Sequence, residues 1–300
     1  MKIVRPVTIG ENQFWSSNIL EDDYAVWDSS TTYSIYARVI VSTTDYHKVF
    51  ESVVGSNVGF NPVTDNGTKW LLVGSTNRWR MFDGSPSEQS SRASQITVSL
   101  APAEYADSVA LMNISAASVT ITQTDPTDGL VYNQTYSLVS SSAIQDWYAY
   151  FFTPIARVPD FAVTDLLPYP TATIAVTLDD IGAQVLCGEC VIGLSREIGD
   201  TQYGASVGIV DYSIKQADVW GNYSITERAF AKRGEFTVWV EAEAVTELQH
   251  ILASYRATPA VYVGSDFYAS TLIYGFYKDF SIDIATPSYS VCTIQVEGLV

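Results

Sequence analysis

Between residues 95 and 178, apolar side chains recur at every second position. Ile96-Thr97-Val98-Ser99-Leu100, Val119-Thr120-Ile121-Thr122-Gln123 and Thr173-Ile174-Ala175-Val176-Thr177-Leu178 each alternate, and turn signals such as Asp125-Pro126-Thr127-Asp128-Gly129 separate them. Successive side chains of a strand point to opposite faces, so this period of two gives every segment one apolar and one polar face. Short strands of this kind must bury their apolar faces against a second layer, which predicts a β-sandwich. The 19 Tyr, 12 Phe and 7 Trp, with abundant Ser, Thr and Val, also favour strands over helices.

The chain is mainly β by this reading, and 300 residues suffice for two or three modules. Residues 1–23 read as a strand and a loop ending in Glu21-Asp22-Asp23. Residues 24–75 read as a small β unit inserted into its host, and residues 76–178 resume the sandwich, of jelly-roll or galactose-binding-like type. An insertion must leave and rejoin its host at one edge, so residues near 23 and 75 are expected to lie close together.

The texture changes near 179. Gly182, Gly188, Gly193, Gly199, Gly204 and Gly208 follow one another closely, which predicts bulges, tight turns and close backbone approach. One helix is expected near 245–256, where positions 245, 248, 251, 252 and 255 form an apolar face. Thr246 or a neighbour can cap its start, and Pro259 bars its extension. Strands follow at 259–264, 272–284 and 290–299. Residues 179–300 thus read as a β domain with one main helix and open strand edges, suited to assembly.

Sixteen Lys and Arg against 33 Asp and Glu leave a net charge of −17. So acidic a chain repels phosphate backbones, which argues against sequence-specific nucleic-acid binding. It suits the wall of a passage through which a polyanion slides. No run of eighteen apolar residues occurs, so no transmembrane segment is expected. Met1-Lys2-Ile3-Val4-Arg5-Pro6 lacks an apolar signal core, which implies assembly in a cytoplasm.

Three cysteines do not make a disulfide framework. Cys187-Gly188-Glu189-Cys190, with Cys292 distant, admits three readings: a redox dithiol, a metal or iron–sulfur site lacking its fourth Cys, or small thiols buried in strands. If Cys187 and Cys190 share one strand, their spacing of three puts them on opposite faces. His47 and His250 have no metal-ligand spacing. No phosphate-binding glycine loop is present, and pairs such as Asp179-Asp180 are what any acidic chain supplies. Arg228, Lys232 and Arg233 form the densest basic patch, a candidate interface with an acidic neighbour or a solvated face.

Trp27-Asp28-Ser29-Ser30-Thr31-Thr32-Tyr33, short alternating segments, and Lys69-Trp70-Leu71 resemble the small chitin-binding type of carbohydrate-binding module. At that family's Tyr-x-Ala position this chain has Val49-Phe50-Glu51-Ser52. The resemblance implies sugar stacking on aromatic rings, with Trp27, Tyr33 and Trp70 as the contacts. The same rings can instead be the core of so small a unit.

A second resemblance spans most of the chain. Tyr203-Gly204-Ala205-Ser206-Val207-Gly208-Ile209-Val210-Asp211-Tyr212-Ser213, Arg228-Ala229-Phe230-Ala231-Lys232-Arg233, Tyr274-Gly275-Phe276-Tyr277-Lys278-Asp279-Phe280 and Ile294-Gln295-Val296-Glu297-Gly298-Leu299 are similar to tail-tip or distal-tail proteins of long-tailed bacteriophages. So is Thr76-Asn77-Arg78-Trp79-Arg80-Met81-Phe82-Asp83. The resemblance implies a non-enzymatic component of the virion tail with a hub-type β domain. It implies a ring, trimer or hexamer, that joins the tail tube to hub and fibres and contacts host-surface glycans. It also implies Cys187, Cys190 and Cys292 as candidate ligands of an iron–sulfur cluster completed by another residue or subunit; otherwise no cofactor is expected. The rival readings are a carbohydrate-active enzyme and a free glycan-binding lectin.

Overall fold

Two antiparallel sheets organise the computed structural model, which describes residues 1–43, 46–140, 146–152, 156–284 and 286–300. The smaller has five strands in the order Phe14–Ser17, Ser90–Leu100, Thr173–Cys187, Ser118–Asp125 and Gly129–Ser137. The larger has ten. It begins with Phe161–Val163, Ser108–Met112, Glu189–Glu197, Lys2–Pro6 and Ala260–Val263. It continues through Leu272–Asp283, Tyr289–Gly298 and Phe230–Glu241, the last of which pairs with both Asp200–Thr201 and Ser206–Asp211. The protein is mainly β, with a sandwich-like first half.

The alternation at 95–178 does what the period of two requires. Ile96, Val98, Leu100, Val119, Ile121, Ile174, Val176 and Leu178 are all buried, while the Thr and Ser residues between them are half-buried. They pack against Val109, Leu111 and Ile192 of the larger sheet, forming the first core. The expected turn forms as well: Asp125 Oδ1 accepts from the Thr127 and Asp128 N–H groups at 2.8 and 3.1 Å.

The second core lies where the Val245–Ser254 helix covers the other end of the larger sheet. Leu248, Leu252 and Tyr255 are buried against Phe236, Val238 and Ile294, with Val245 and Ile251 packed beside them. This is the apolar face read from the sequence. Its cap differs from the expectation: Ala244 stands at the N-cap with no side-chain hydrogen bond, after a 3-10 turn at Ala242–Ala244. Among the described residues no helix is long and apolar enough to cross a membrane.

One continuous path joins the sheets. Thr173–Cys187 runs through the five-stranded sheet, bulges between Asp179 and Gln184 where Gly182 has φ +83°, and passes through Gly188 into Glu189–Glu197 of the larger sheet. A Cβ on Gly188 would lie 2.2 Å from the Pro86 carbonyl oxygen, so only glycine turns this corner. Two boundaries read from the sequence therefore fall elsewhere. A division at 178/179 cuts a single strand, and Lys2–Pro6 lies in the larger sheet between Glu189–Glu197 and Ala260–Val263 rather than in the sheet that holds Ser90–Leu100.

Residues 24–75 carry their own three-stranded sheet, Arg38–Thr43, Tyr46–Ser52 and Trp70–Ser75. Asp23 Oδ2 accepts from the Asn77 backbone N–H at 2.9 Å, so the two ends of the unit meet.

Candidate functional site

The inserted unit spends much of its aromatic content on itself. Trp70 is 1% exposed and, with Val39, Val41 and Phe50, forms a small core against which Trp27, Tyr33 and Tyr46 pack. Trp70 donates its indole N–H to the Phe60 carbonyl at 2.8 Å and meets Tyr33 edge-on at 5.2 Å. The Tyr33 hydroxyl accepts from the Asp28 N–H at 2.8 Å. Trp70 is therefore a core residue and not a surface contact, because a unit this small has little else with which to fill its interior. Trp27 is half-buried, and its indole N–H finds no partner among the described residues.

The rings this unit does present are others. Tyr36 is 72% exposed and has φ +67°, a conformation that costs a bulky L-residue energy. Ser56, in the neighbouring loop, has φ +54°. The Tyr36 N–H is tied to the Ser52 carbonyl at 2.7 Å, and the Tyr33–Asn57 bridge joins the two loops. Ile35, Val58 and Phe60 are exposed along the same loops.

A polar clamp fixes the unit to the sandwich. Glu21 accepts from the Ser42 hydroxyl at 3.0 Å and the Thr76 hydroxyl at 2.8 Å, and its Oε1 lies 2.9 Å from His47 Nδ1. His47 stacks on Trp79 at 4.2 Å, and its Nε2 is 3.2 Å from Glu11 Oε1. The imidazole is a structural bridge between two modules, which its isolated position in the sequence does not reveal.

The thiols separate by core. Cys187 and Cys190 end one strand and begin the next, in different sheets, and both bury into the first core; Cys292 is buried in the second. The expectation of opposite faces on one strand fails because Gly188 turns the chain between them. These three residues do not fit a common cluster, and among the described residues no group of three or more His, Cys, Asp or Glu is placed to hold a metal ion. Burial pushes both the Cys187 and Cys190 thiols well above their ordinary value.

Glu189, between them, is 4% exposed. Burial, with the charge of Asp83 nearby, raises its carboxyl to about 9, although the Gly84 N–H donates to its Oε2 at 2.9 Å. A raised acid beside a second acid is what glycoside hydrolysis asks of a general acid. This one is sealed at the corner where the sheets join.

The three basic residues do not form one patch. Lys232 pairs with Asp160, which is also held by the Asn113 N–H at 3.0 Å. Arg233, next along the strand, points to the other face and stands opposite Glu297 in register. Arg228 and Arg233 are both exposed, and Arg228 stands at the base of a feature the sequence reading missed.

That feature is an arm. From residue 203 to 230 no residue is buried. Among the described residues Ser206–Asp211 pairs on one side only, with Phe230–Glu241, and the chain then forms a separate hairpin, Ile214–Ala217 with Tyr223–Thr226. Its tip is well built: Asp218 Oδ1 accepts from the Trp220 and Asn222 N–H groups, both at 2.8 Å, and Gly221 has φ +83°. Val219 and Trp220 at the tip are 94% and 84% exposed, and Tyr223 and Ile225 are exposed behind them. Ile214-Lys215-Gln216-Ala217, a turn containing Gly221-Asn222, and Tyr223-Ser224-Ile225-Thr226 are together a hairpin signal legible in the sequence.

No protein-family model, no curated protein and no solved structure matches this chain.

Proposed function

We propose that this chain is a self-assembling structural protein of the tail tip or baseplate of a long-tailed bacteriophage, closing into a ring at the distal end of the tail tube and joining it to hub and fibres. The observation that carries the reading is the arm of residues 203–230, none of which is buried. An isolated two-stranded hairpin is marginal in water, and an exposed apolar edge is normally paired or covered. A chain that shapes a hairpin tip with three hydrogen-bonded turn residues and leaves Trp220 in solvent is built to meet another protein. The charge of −17 suits a ring around a passage for DNA, where negative walls avoid trapping a polyanion.

A second role rests on Tyr36. Backbone strain that holds an aromatic ring in solvent favours a recognition surface, and host-surface glycan is the ligand we assign to the inserted unit. Sedimentation and antibody labelling of tailed particles test the main reading. An oligomer in solution, with label at the distal end of the tail, is the expected result. A monomer that hydrolyses chitin or peptidoglycan overturns it in favour of a carbohydrate-active enzyme.

A further inference from the structure

We infer that the hairpin arm of one copy seats in a groove beside the N-terminal strand of the next, so that assembly proceeds by arm exchange between identical chains. The inference rests on the assembly reading above and names the surface that receives the arm. The groove, about 700 Å³ in volume, lies between Asp200–Thr201, the loop at 203–207 and the turn at 265–271. Tyr203, Phe267 and Tyr268 line it and are 101%, 92% and 59% exposed. The turn is rigid: Thr271 Oγ1 accepts from the Ser265 N–H at 2.9 Å and donates to the Tyr268 carbonyl at 2.7 Å. Three aromatic side chains around one concave surface, two of them on this turn, are unlike a scatter of exposed apolar residues.

The occupant follows from area, charge and topology. An aromatic side chain contributes roughly 150–250 Å². Trp220 and Tyr223 with Val219 and Ile225 therefore offer on the order of 500 Å², and the three groove rings about as much. The sum reaches the roughly 1,000 Å² that a specific interface needs. Arg228 at the arm's base complements the groove in charge: three acids, Glu197, Asp200 and Asp266, line it against Lys2 and the amino group of Met1. A copy cannot use its own arm, since residues 215–230 of the same chain are all exposed although Val207, at the arm's root, lines the groove. Arm-to-groove contact is heterologous, and such contacts generate rings when the rotation closes.

Engineered thiols test this directly, because the three native cysteines are buried. Val219→Cys and Ser270→Cys place one thiol at the arm tip and one on the groove rim. Mixed and mildly oxidised, the two variants should give a disulfide-linked pair of unlike chains, and neither variant alone should do so. In parallel, Trp220→Ala should weaken association about 30-fold, as loss of a central aromatic does, without changing the unfolding midpoint. If oligomers form and Trp220→Ala dissolves them but no crosslink to Ser270→Cys appears, the groove is wrong and the assembly reading stands. If the parent chain sediments as a monomer at its highest soluble concentration, both are overturned.

Discussion

The two ends of the ten-stranded sheet are finished in different ways. At one end Phe161–Val163, Ser108–Met112 and Glu189–Glu197 lie under the five-stranded sheet, and that half also carries the inserted unit with Trp70 inside it. At the other end one helix covers one face, and the outermost strand runs into the exposed arm. Both halves are rich in aromatics. In the covered half Trp70 and Trp79 are buried, while in the arm Trp220 is 84% exposed. Residue type is thus no guide to role here. What separates the halves is whether the chain itself supplies a second layer, and the arm is where it does not.

The largest expected effect sets these two tryptophans against each other. Trp70→Ala should cost about 3–5 kcal/mol and melt residues 24–75, because the cavity would lie in a core of very few side chains. Trp220→Ala should leave the stability of the isolated chain within about 0.5 kcal/mol, since its side chain is 84% exposed. Denaturant unfolding followed by tryptophan fluorescence measures both. Equal losses would erase the distinction between a sealed and an unsealed region.

The covered half also seals Glu189, and pH exposes the consequence. Its folded-state carboxyl titrates near 9 against an ordinary 4.5, so at neutral pH the folded chain holds a proton that the unfolded chain releases. By linkage this weakens the fold progressively as pH rises from about 4.5 toward 9, and costs nothing below 4.5. Glu189→Gln keeps an acceptor for the Gly84 N–H and removes the ionisable group. It should raise stability at pH 7 by on the order of 2–3 kcal/mol and flatten the decline between pH 5 and 9. An unchanged pH profile would mean that the corner is wetter than its 4% exposure implies.

The basic residues give a smaller contrast across the same divide. Lys232→Ala strands Asp160, whose side chain is 9% exposed, and should cost about 1–3 kcal/mol of stability. Arg228→Glu should leave stability unchanged and weaken self-association, more at low salt, where interface charges are least screened. The reverse pattern would place Arg228 in the fold and Lys232 at the interface.

How much of this was legible in the sequence follows from the range of the interactions. The period of two at 95–178, the turn at Asp125 and the apolar face of the 245–255 helix are local patterns, and they appear in the structure as read. Sheet membership is not local. Lys2–Pro6 pairs with Glu189–Glu197 and Ala260–Val263, and no pattern within Lys2-Ile3-Val4-Arg5-Pro6 specifies partners so distant. Nor does the spacing of Cys187 and Cys190 reveal that Gly188 switches sheets between them. Burial of Trp70 was open because one sequence pattern suits both a platform and a core. The arm's hairpin was legible, but that its residues 215–230 all stay exposed is a fact of three dimensions.

The smallest effect probes the inserted unit's own unsealed spot. Tyr36 holds φ +67°, where an L-residue costs roughly 1–2 kcal/mol and glycine costs nothing. Glycine in turn adds about 0.5–1 kcal/mol of unfolded-state entropy. Tyr36→Gly should therefore stabilise the chain slightly, by about 0.5 kcal/mol. Replacing an exposed aromatic usually leaves stability within that margin in either direction, so the sign matters more than the size. If the strained ring serves recognition, the same variant should lose retention on a glycan affinity column while its unfolding midpoint rises. Asn is the control, since it tolerates a positive φ yet lacks the ring. Retention that survives both Tyr36→Gly and Tyr36→Asn would remove Tyr36 from any glycan site and leave the strain as a consequence of the tie between its N–H and the Ser52 carbonyl at 2.7 Å.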